Sequence, residues 1–388
     1  MIVTKCYKYR LEPTSEQEHE FFCFSGCRRF VWNWALARKQ TVYKETGKGI
    51  GYNALAAELV ILKKQPETAF LKECHSQILQ QTIMDLNKAF VAFFAKRSRF
   101  PRFKSRKRTA HAFRIPQNVS IIDGEVSVPK IGLVKVRLHR PMEGTVKGAT
   151  IKQEADGHWN VTFVSHIELP DGRVTCYSPV GADAGLETFL TLNNGEKVKP
   201  PKFYRKSERK LKRLQRQLSR CQKISRNRAK AKKRVAIYHA KVRNQRNDWL
   251  HKLSAQLVRL YDTICVEDLN LKGLVRTKLA KSFSDAAISS FLRMLEYKVV
   301  PIYGQVVKVG RFFASSKTCS NPDCGHKQDL ELSDRVWICE SCGTLHDRDI
   351  NAAINILIEG LRILALGMRE SLNAGGENVR LAKVSSSC

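Results

Sequence analysis

CESCGTLHDRDINAAINI, residues 339–356, runs from one half of a metal site into the start of a helix with no linker between them. Cys339 and Cys342 have the spacing of a zinc knuckle, and Cys319 and Cys324 precede them with 14 residues intervening. Two close cysteine pairs across such a loop form a tetrahedral four-thiolate ribbon, each knuckle followed by a glycine, here Gly325 and Gly343. So short a segment buries too little apolar surface to order itself, whereas structural zinc supplies on the order of 10 kcal/mol of folding free energy. His326 and His346 could replace a thiolate, but four cysteines fill the coordination sphere and leave no open position for chemistry. The Zn²⁺ is therefore expected to be structural. Two acids, Asp347 and Asp349, follow at once, in a chain whose formal net charge is +32.

That charge, 68 Lys and Arg against 36 Asp and Glu in 388 residues, makes a polyanion the first partner to consider. The length allows two or three domains with real cores. No apolar run approaches the roughly 18–20 residues of a spanning helix, and the first residues lack a signal-peptide core. A cytoplasmic protein with no membrane partner is the expectation. Apart from the clustered four, the remaining cysteines are scattered, which suits a reducing compartment better than a disulfide scaffold. Cys23 and Cys27, beside Phe21, Phe22 and Phe24, read as packing residues.

The chain opens with an alternating strand ending at Pro13. Thr14 and Gln17 form a capping box that starts a helix carrying Phe21, Phe22, Val31, Trp32 and Leu36 inward. A second helical stretch runs from about Tyr52 to Phe94. KRSRFPRFKSRKR, residues 96–108, then interleaves cations with Phe100 and Phe103; a solvated loop would read similarly, but rings among cations offer stacking as well as phosphate binding. From Val119 to Leu169 short alternating runs broken by Asp123-Gly124 and Asp156-Gly157 predict a small antiparallel β unit. Two strands follow from Pro179, then residues 201–250, with 19 Lys or Arg against Glu208 and Asp248, a net of +17 (19 minus 2). Leucine stripes there predict two antiparallel helices, and so one-sided a charge would repel itself without a phosphate backbone alongside. Strand 263–268, a helix over 289–300 and strand 305–310 predict a right-handed crossover in an α/β sheet.

Three carboxylates stand at element ends in this second half. Asp183 closes an apolar strand before Ala184-Gly185, where a simple turn is the alternative. Glu267 closes TICVE, a buried strand in which a carboxylate is costly unless paired or coordinated; Asp268 should face the other way. Asp349 opens INAAINI, where N-capping is the alternative and Asp347 could serve as well. Two strand ends and a helix start can meet at one sheet edge. Unit charges about 4 Å apart repel by roughly 4 kcal/mol at an effective dielectric of about 20, so such a cluster calls for cations. Paired Mg²⁺ ions, with Mn²⁺ as an alternative, would neutralise it and activate water. Asn351 can hold the helix start against the sheet, and Ala352 and Ala353 permit close packing.

GADAGL (181–186), VEDLN (266–270), FFASSKTCS (312–320) and HDRDINAAINI (346–356) resemble the TnpB family of insertion-sequence-encoded, RNA-guided DNA endonucleases, related to the type V CRISPR effectors. The likeness extends to YKETGKGIGY (43–52), RFPRF (99–103) and DWLHKL (248–253). It implies an α/β multidomain protein with an RNase H-like (RuvC) core whose Asp, Glu, Asp triad falls on Asp183, Glu267 and Asp349. It also implies a zinc-ribbon target-nucleic-acid-binding insert, and a β-barrel-like wedge domain beside a helical recognition domain. The expected limits are 1–12 and 109–178 for the wedge, 13–108 for the helical domain, 179–316 and 346–366 for the nuclease core with its basic hairpin, 317–345 for the insert, and 367–388 for a disordered tail. Tyr52 and Gln80 match positions that touch a motif beside the target in relatives. Ser76 lies where a lysine can occur, so the motif read can differ. The four residues inside the first cysteine pair, where many relatives have two, widen a loop and leave the zinc set intact.

The resemblance implies a transposon-derived guide RNA and double-stranded target DNA as partners of a monomer, active in the prokaryotic cytoplasm and on the nucleoid. Metal-dependent phosphodiester hydrolysis is then carried by Asp183, Glu267 and Asp349. Nucleic-acid contacts are expected from Tyr52, Ser76, Gln80, Arg99, Phe100, Arg102, Phe103 and Lys104. Two rivals differ in class: an RNA-guided repressor without nuclease activity, disfavoured by three intact acids, and a zinc-ribbon DNA-binding transposition regulator that uses no RNA.

Overall fold

A computed structural model describes residues 1–172, 176–185, 187–268, 287–331 and 333–375. Leu186 of GADAGL, Leu269 and Asn270 of VEDLN, and residues 376–388 of the expected disordered tail lie outside these. Two compact units are present: Met1–Pro170 with Cys221–Ile237, and Asp171–Arg220 with Tyr238–Cys388.

In the first unit, β1 (Ile2–Glu12) is the centre of a seven-stranded antiparallel sheet. Its companions are β2 (Ala112–Ile115), β3 (Ser120–Ile122), β4 (Glu125–Val128), β5 (Gly132–Arg137), β6 (Thr145–Gln153) and β7 (Trp159–Glu168), in the order β2-β6-β7-β1-β5-β4-β3. Alternation buries Tyr7, Tyr9 and Leu11 from β1 against Val161 and Phe163 from β7. The helical part consists of α1 (Ser15–Thr46), α2 (Tyr52–Leu62), a short 3₁₀ turn and α3 (Ser76–Phe94). The capping box forms as expected: Gln17 N donates to Thr14 Oγ1, and Thr14 N donates to the Gln17 side chain. Phe21 and Phe24 of α1 meet Phe113 of β2 at ring separations of 5.7 and 5.5 Å, and Phe21 meets Trp159 at 5.0 Å. Helices and sheet therefore share one core.

The second unit holds a five-stranded sheet of β8 (Pro179–Asp183), β9 (Leu190–Leu192), β10 (Lys197–Val198), β11 (Thr263–Glu267) and β12 (Gln305–Val309), in the order β10-β9-β8-β11-β12. β8 to β10 form an antiparallel meander, and β11 and β12 add parallel to β8. Between them in the chain come α4 (Phe203–Arg220), α5 (Arg226–Leu260), whose residues up to Ile237 belong to the first unit, and α6 (Ile288–Val299). The predicted helix pair is thus present. β13 (Val336–Ile338) and β14 (Leu345–Asp347) make a small antiparallel ribbon, and α7 (Arg348–Gly375) follows directly, continuing past Leu366 where the sequence suggested an end.

Strand parity sorts the residues of this sheet. Val180, Ala182, Ile264 and Val266 face one side, in a core with Leu250, Leu257, Phe291 and Leu295 of α5 and α6. Gly181 and Cys265 face the other side, which α7 covers. A methyl on Gly181 would stand 2.0 Å from the carbonyl oxygen of Ala353 and 2.7 Å from Leu357 Cβ, and one on Gly360 would stand 2.3 Å from Cys265 Sγ. Backbone and sheet thus touch through glycine at both ends of the contact. Gly181→Ala must force α7 off the sheet; a loss of about 1–3 kcal/mol is expected, read as a lowered unfolding temperature. Wild-type stability in that variant would show that α7 is not seated this way.

Candidate metal centres and nucleic-acid surfaces

Asp183 and Glu267 lie at the carboxyl ends of adjacent parallel strands. Val266 pairs with Ala182, so the next residues, Glu267 and Asp183, are neighbours on the same face. By parity this is the face covered by α7, whose first turn carries Asp349. Asp183 is half-buried and packed by protein on most sides. Burial, then the charge of Asp349, then that of Glu267, push its pKa up to about 7, while the Ala184 amide and Arg348 act weakly the other way. The Glu267 carboxyl is raised by burial and then by Asp268. Asp268 itself pairs with Arg311 at 3.0 Å.

The capping role that Asp349 could have filled falls to its neighbour. Asp347 caps α7, its Oδ1 accepting from the Asp349 and Ile350 amides at 3.1 Å each, and its Oδ2 receives Lys197 Nζ at 2.7 Å. Asp349 is left free of the capping role. Arg335, next to β13, was not distinguished in the sequence from many other cations. Its Nη1 lies 3.7 Å from Asp349 Oδ1 and its Nη2 2.9 Å from Glu187. Only the fold places it there.

Cys319, Cys324, Cys339 and Cys342 bring their sulfurs within 4.8 Å of one another, and among the described residues no other set of three or more metal-ligating side chains is as tight. The three carboxylates stand wider. The Cys319–Cys342 and Cys324–Cys339 sulfur separations are both 3.7 Å, and zinc–sulfur bonds of about 2.3 Å in a tetrahedron require sulfurs about 3.8 Å apart. The donor set thus fits zinc. Gly325 and Gly343 turn the knuckles at φ +58° and +71°. His346 does not replace a thiolate: its Nε2 lies 3.1 Å from Cys319 Sγ and its ring packs on Trp337 at 4.6 Å, where it can donate to the sulfur and steady it.

Asn351 departs from its expected role. It holds the cysteine-bearing loop rather than the sheet, donating to the Thr318 carbonyl at 2.8 Å and accepting from the Ser320 amide at 2.9 Å. Asn355, one turn on, donates to the Ser315 and Thr318 carbonyls at 2.8 and 2.6 Å. The two asparagines of NAAIN therefore join the ribbon to α7.

In the first unit, Ser76 and Gln80 are exposed one turn apart on α3, and half-buried Tyr52 opens α2. The RFPRFK segment is clamped to α1: Trp32 Nε1 donates to the Arg102 carbonyl at 3.0 Å, and Asn33 exchanges bonds of 2.8 and 2.7 Å with the Lys104 backbone. Arg99, Arg102 and Phe103 remain exposed, and Phe100 packs edge-on against Phe90 and Phe93 at 5.4 and 5.3 Å. Lys104 differs from its expected display. Its ammonium sits 3.2 Å over the Trp32 ring, and burial, then Arg28, push its pKa down to about 7.

A five-stranded sheet ordered 3-2-1-4-5 in chain terms, with acids at the ends of its first and fourth strands and a helix closing over them, defines an RNase H-like core bearing a zinc-ribbon insert. Comparisons with known proteins agree. A family model described as "Probable transposase" matches residues 168–278, and "Cas12f1-like, TNB domain" matches 289–356. A "Helix-turn-helix domain" model matches residues 1–48, which form β1 and the single helix α1 here. A Streptomyces pristinaespiralis protein provisionally named an RNA-guided DNA endonuclease is 38% identical, over 97% of this chain and 96% of that one. InsQ of Escherichia coli K12, provisionally named likewise, is 35% identical over 94% of each. The protein of a Cas12f1–sgRNA–target DNA complex shares the fold at a TM-score of 0.57 and 14% identity, covering 92% of this chain and 98% of that one. The chain belongs to the TnpB family.

A carboxyl raised in the folded state binds its proton more tightly there than in the unfolded chain. Its ionisation therefore weakens the fold. Without added divalent cations, stability should fall as pH rises from about 4 to about 7 through Asp183, and Asp183→Asn should flatten that slope in a thermal-unfolding series. An unchanged slope would place the raised carboxyl elsewhere.

Proposed function

We propose that this chain is an RNA-guided DNA endonuclease that binds a transposon-derived guide RNA, reads a short motif beside its target and cuts double-stranded DNA by phosphodiester hydrolysis. The observation that carries the reading is the approach of Asp183, Glu267 and Asp349 to one another on the α7-covered face of the sheet. Such a cluster of hard oxygen donors, in which Asp349 and Glu267 raise the proton affinity of Asp183, fits divalent cations such as Mg²⁺ or Mn²⁺. When bound, these would activate water and stabilise the leaving oxygen.

The chain's own groups perform the rest. Asp183 and Glu267, fixed by strand register, would hold the cations, and Asp349, freed from capping by Asp347, would complete the set. Arg335 offers its guanidinium beside Asp349, where a positive charge can stabilise negative charge developing on a phosphate. The basic helices α4 and α5 attract the phosphate backbone, and base pairing with the guide supplies sequence specificity. Tyr52, Ser76 and Gln80 on the first unit are the motif-reading surface. The four thiolates hold structural zinc. The names of the two full-length relatives support this reading over a regulator that works without RNA.

Asp183→Ala should abolish cleavage, by at least about 10³-fold, while guide-dependent DNA binding persists in a mobility shift; undiminished cutting would refute the assignment. Cys339→Ser should lower bound zinc below one equivalent by elemental analysis. It should also reduce cleavage, because Asn351 and Asn355 couple the ribbon to the helix bearing Asp349. A stable RNA of defined length co-purifying with the protein is expected, and its absence would favour the regulator.

A further inference from the structure

Away from these centres, the first unit contains a cavity of about 330 Å³ lined by His19, Phe22, Cys23, Arg29, Arg106 and His111. The first four lie along one side of α1 within about three turns, while Arg106 and His111 come from the chain leading into β2. The His111 backbone is fixed by a 2.8 Å bond from the Gln153 amide to its carbonyl, and its ring meets Phe22 edge-on at 4.8 Å. His111 Nδ1 is buried and has no hydrogen-bond partner, a condition that costs free energy unless a ligand satisfies it. Among the described residues, neither Arg29 nor Arg106 is paired with a carboxylate.

The lining favours an anion. His19, Cys23 and His111 are metal-ligating types, yet they do not form a set with donors within 4.8 Å, and two guanidinium groups would repel a cation. The Cys23 thiol pKa is raised by burial and then by Glu20, so the sulfur stays neutral. Phe22, 37% exposed, adds an aromatic surface beside the cations. Guanidinium and imidazole donors next to a ring are the features that take a phosphate and a base together. A volume of about 300 Å³ is at the low end of small-molecule sites, which suits one nucleotide and not a duplex.

Gly26 gives a second, independent sign. It lies mid-helix on the same side, between Cys23 and Arg29, where glycine weakens a helix relative to alanine. A methyl there would meet only Arg29 Nη2, at 3.9 Å, an ordinary contact. Packing within the chain therefore does not require glycine at this position. A ligand backbone lying close against the helix would.

We infer that this cavity holds a single unstacked nucleotide, its phosphate on Arg29 and Arg106, its base against Phe22 and its edge toward His111 Nδ1. The inference rests on the guided reading above and adds a specific seat to it. The nucleotide can come from the guide RNA or from target DNA, and the test separates these sources.

Ultraviolet cross-linking of the full-length protein with its guide RNA, and again with guide RNA and target DNA, followed by mass spectrometry of peptides, provides that test. One mononucleotide adduct is expected on the peptide containing Phe22 and Cys23. A ribonucleotide mass would assign it to the guide and a deoxyribonucleotide mass to the target. Arg106→Ala should remove this adduct while adducts elsewhere persist. Gly26→Ala should raise the unfolding temperature of the free protein by a few degrees, roughly what a mid-helix glycine forfeits, yet weaken binding of the nucleic acid that supplies the adduct by about tenfold. No adduct on this peptide, with cross-links present at other sites, would overturn the cavity and leave the guided reading standing. Wild-type affinity in Gly26→Ala would overturn the close approach to the helix. A protein that neither carries nor cross-links any RNA would overturn the guided reading and the seat with it.

Discussion

Helix α7 can lie on the five-stranded sheet only because Gly181 has no side chain. The space a methyl would need is already taken by the Ala353 carbonyl, and Gly360 makes the same concession to Cys265 further along. This closeness sets how far the first turn of α7 is from the ends of β8 and β11, and hence whether Asp349 is near enough to raise the Asp183 carboxyl. Small residues along the contact, Gly181, Ala352, Ala353 and Gly360, thus govern an electrostatic property several residues away.

Division of labour between neighbouring acids is the second organising feature. Asp347 and Asp349 stand two residues apart and could each cap the helix, but only Asp347 does so. Glu267 and Asp268 divide in the same way: alternation along the strand end sends Asp268 to Arg311, and Glu267 to the face it shares with Asp183. In both pairs one acid is satisfied locally, and the other turns toward Asp183, Asp349 doing so with Arg335 at 3.7 Å alongside. Bringing these acids together is unfavourable for folding alone, as the raised Asp183 carboxyl records.

Much of this was legible in the sequence, because the signals were local. The cysteine spacing, the Thr14–Gln17 box, the alternation of the β runs and the leucine stripes of α4 and α5 each depend on residues within a few positions of one another. The carboxylate triad was legible for a different reason: each member ends or begins an element, and parallel α/β architecture brings such ends to one edge. Long-range relations were not legible. Nothing near β1 says that it runs between β5 and β7, or that helices and sheet share one core. Arg335 looks like any other cation until β13 pairs with β14. Asn351 was given to the sheet, whereas its amide bonds to the loop around Thr318. Lys104, read as a displayed phosphate contact, lies on Trp32, because the Asn33 and Trp32 bonds to the local backbone turn its side chain inward.

The ribbon is tied more tightly on one side than on the other. Between the Thr318–Lys327 bridge and Arg335 the chain exposes Asp329, Glu331 and Ser333, where lengthening a loop costs little: each doubling adds only about 0.6 kcal/mol. From Cys342 to Asp349 every step is committed, first to the Gly343 turn, then to the pairing of β14 with β13, then to the cap of α7. Length variation among descendants of this chain, or a peptide grafted in by design, should therefore be accommodated in the first interval and rejected in the second, where one added residue would rotate the helix start by about 100°.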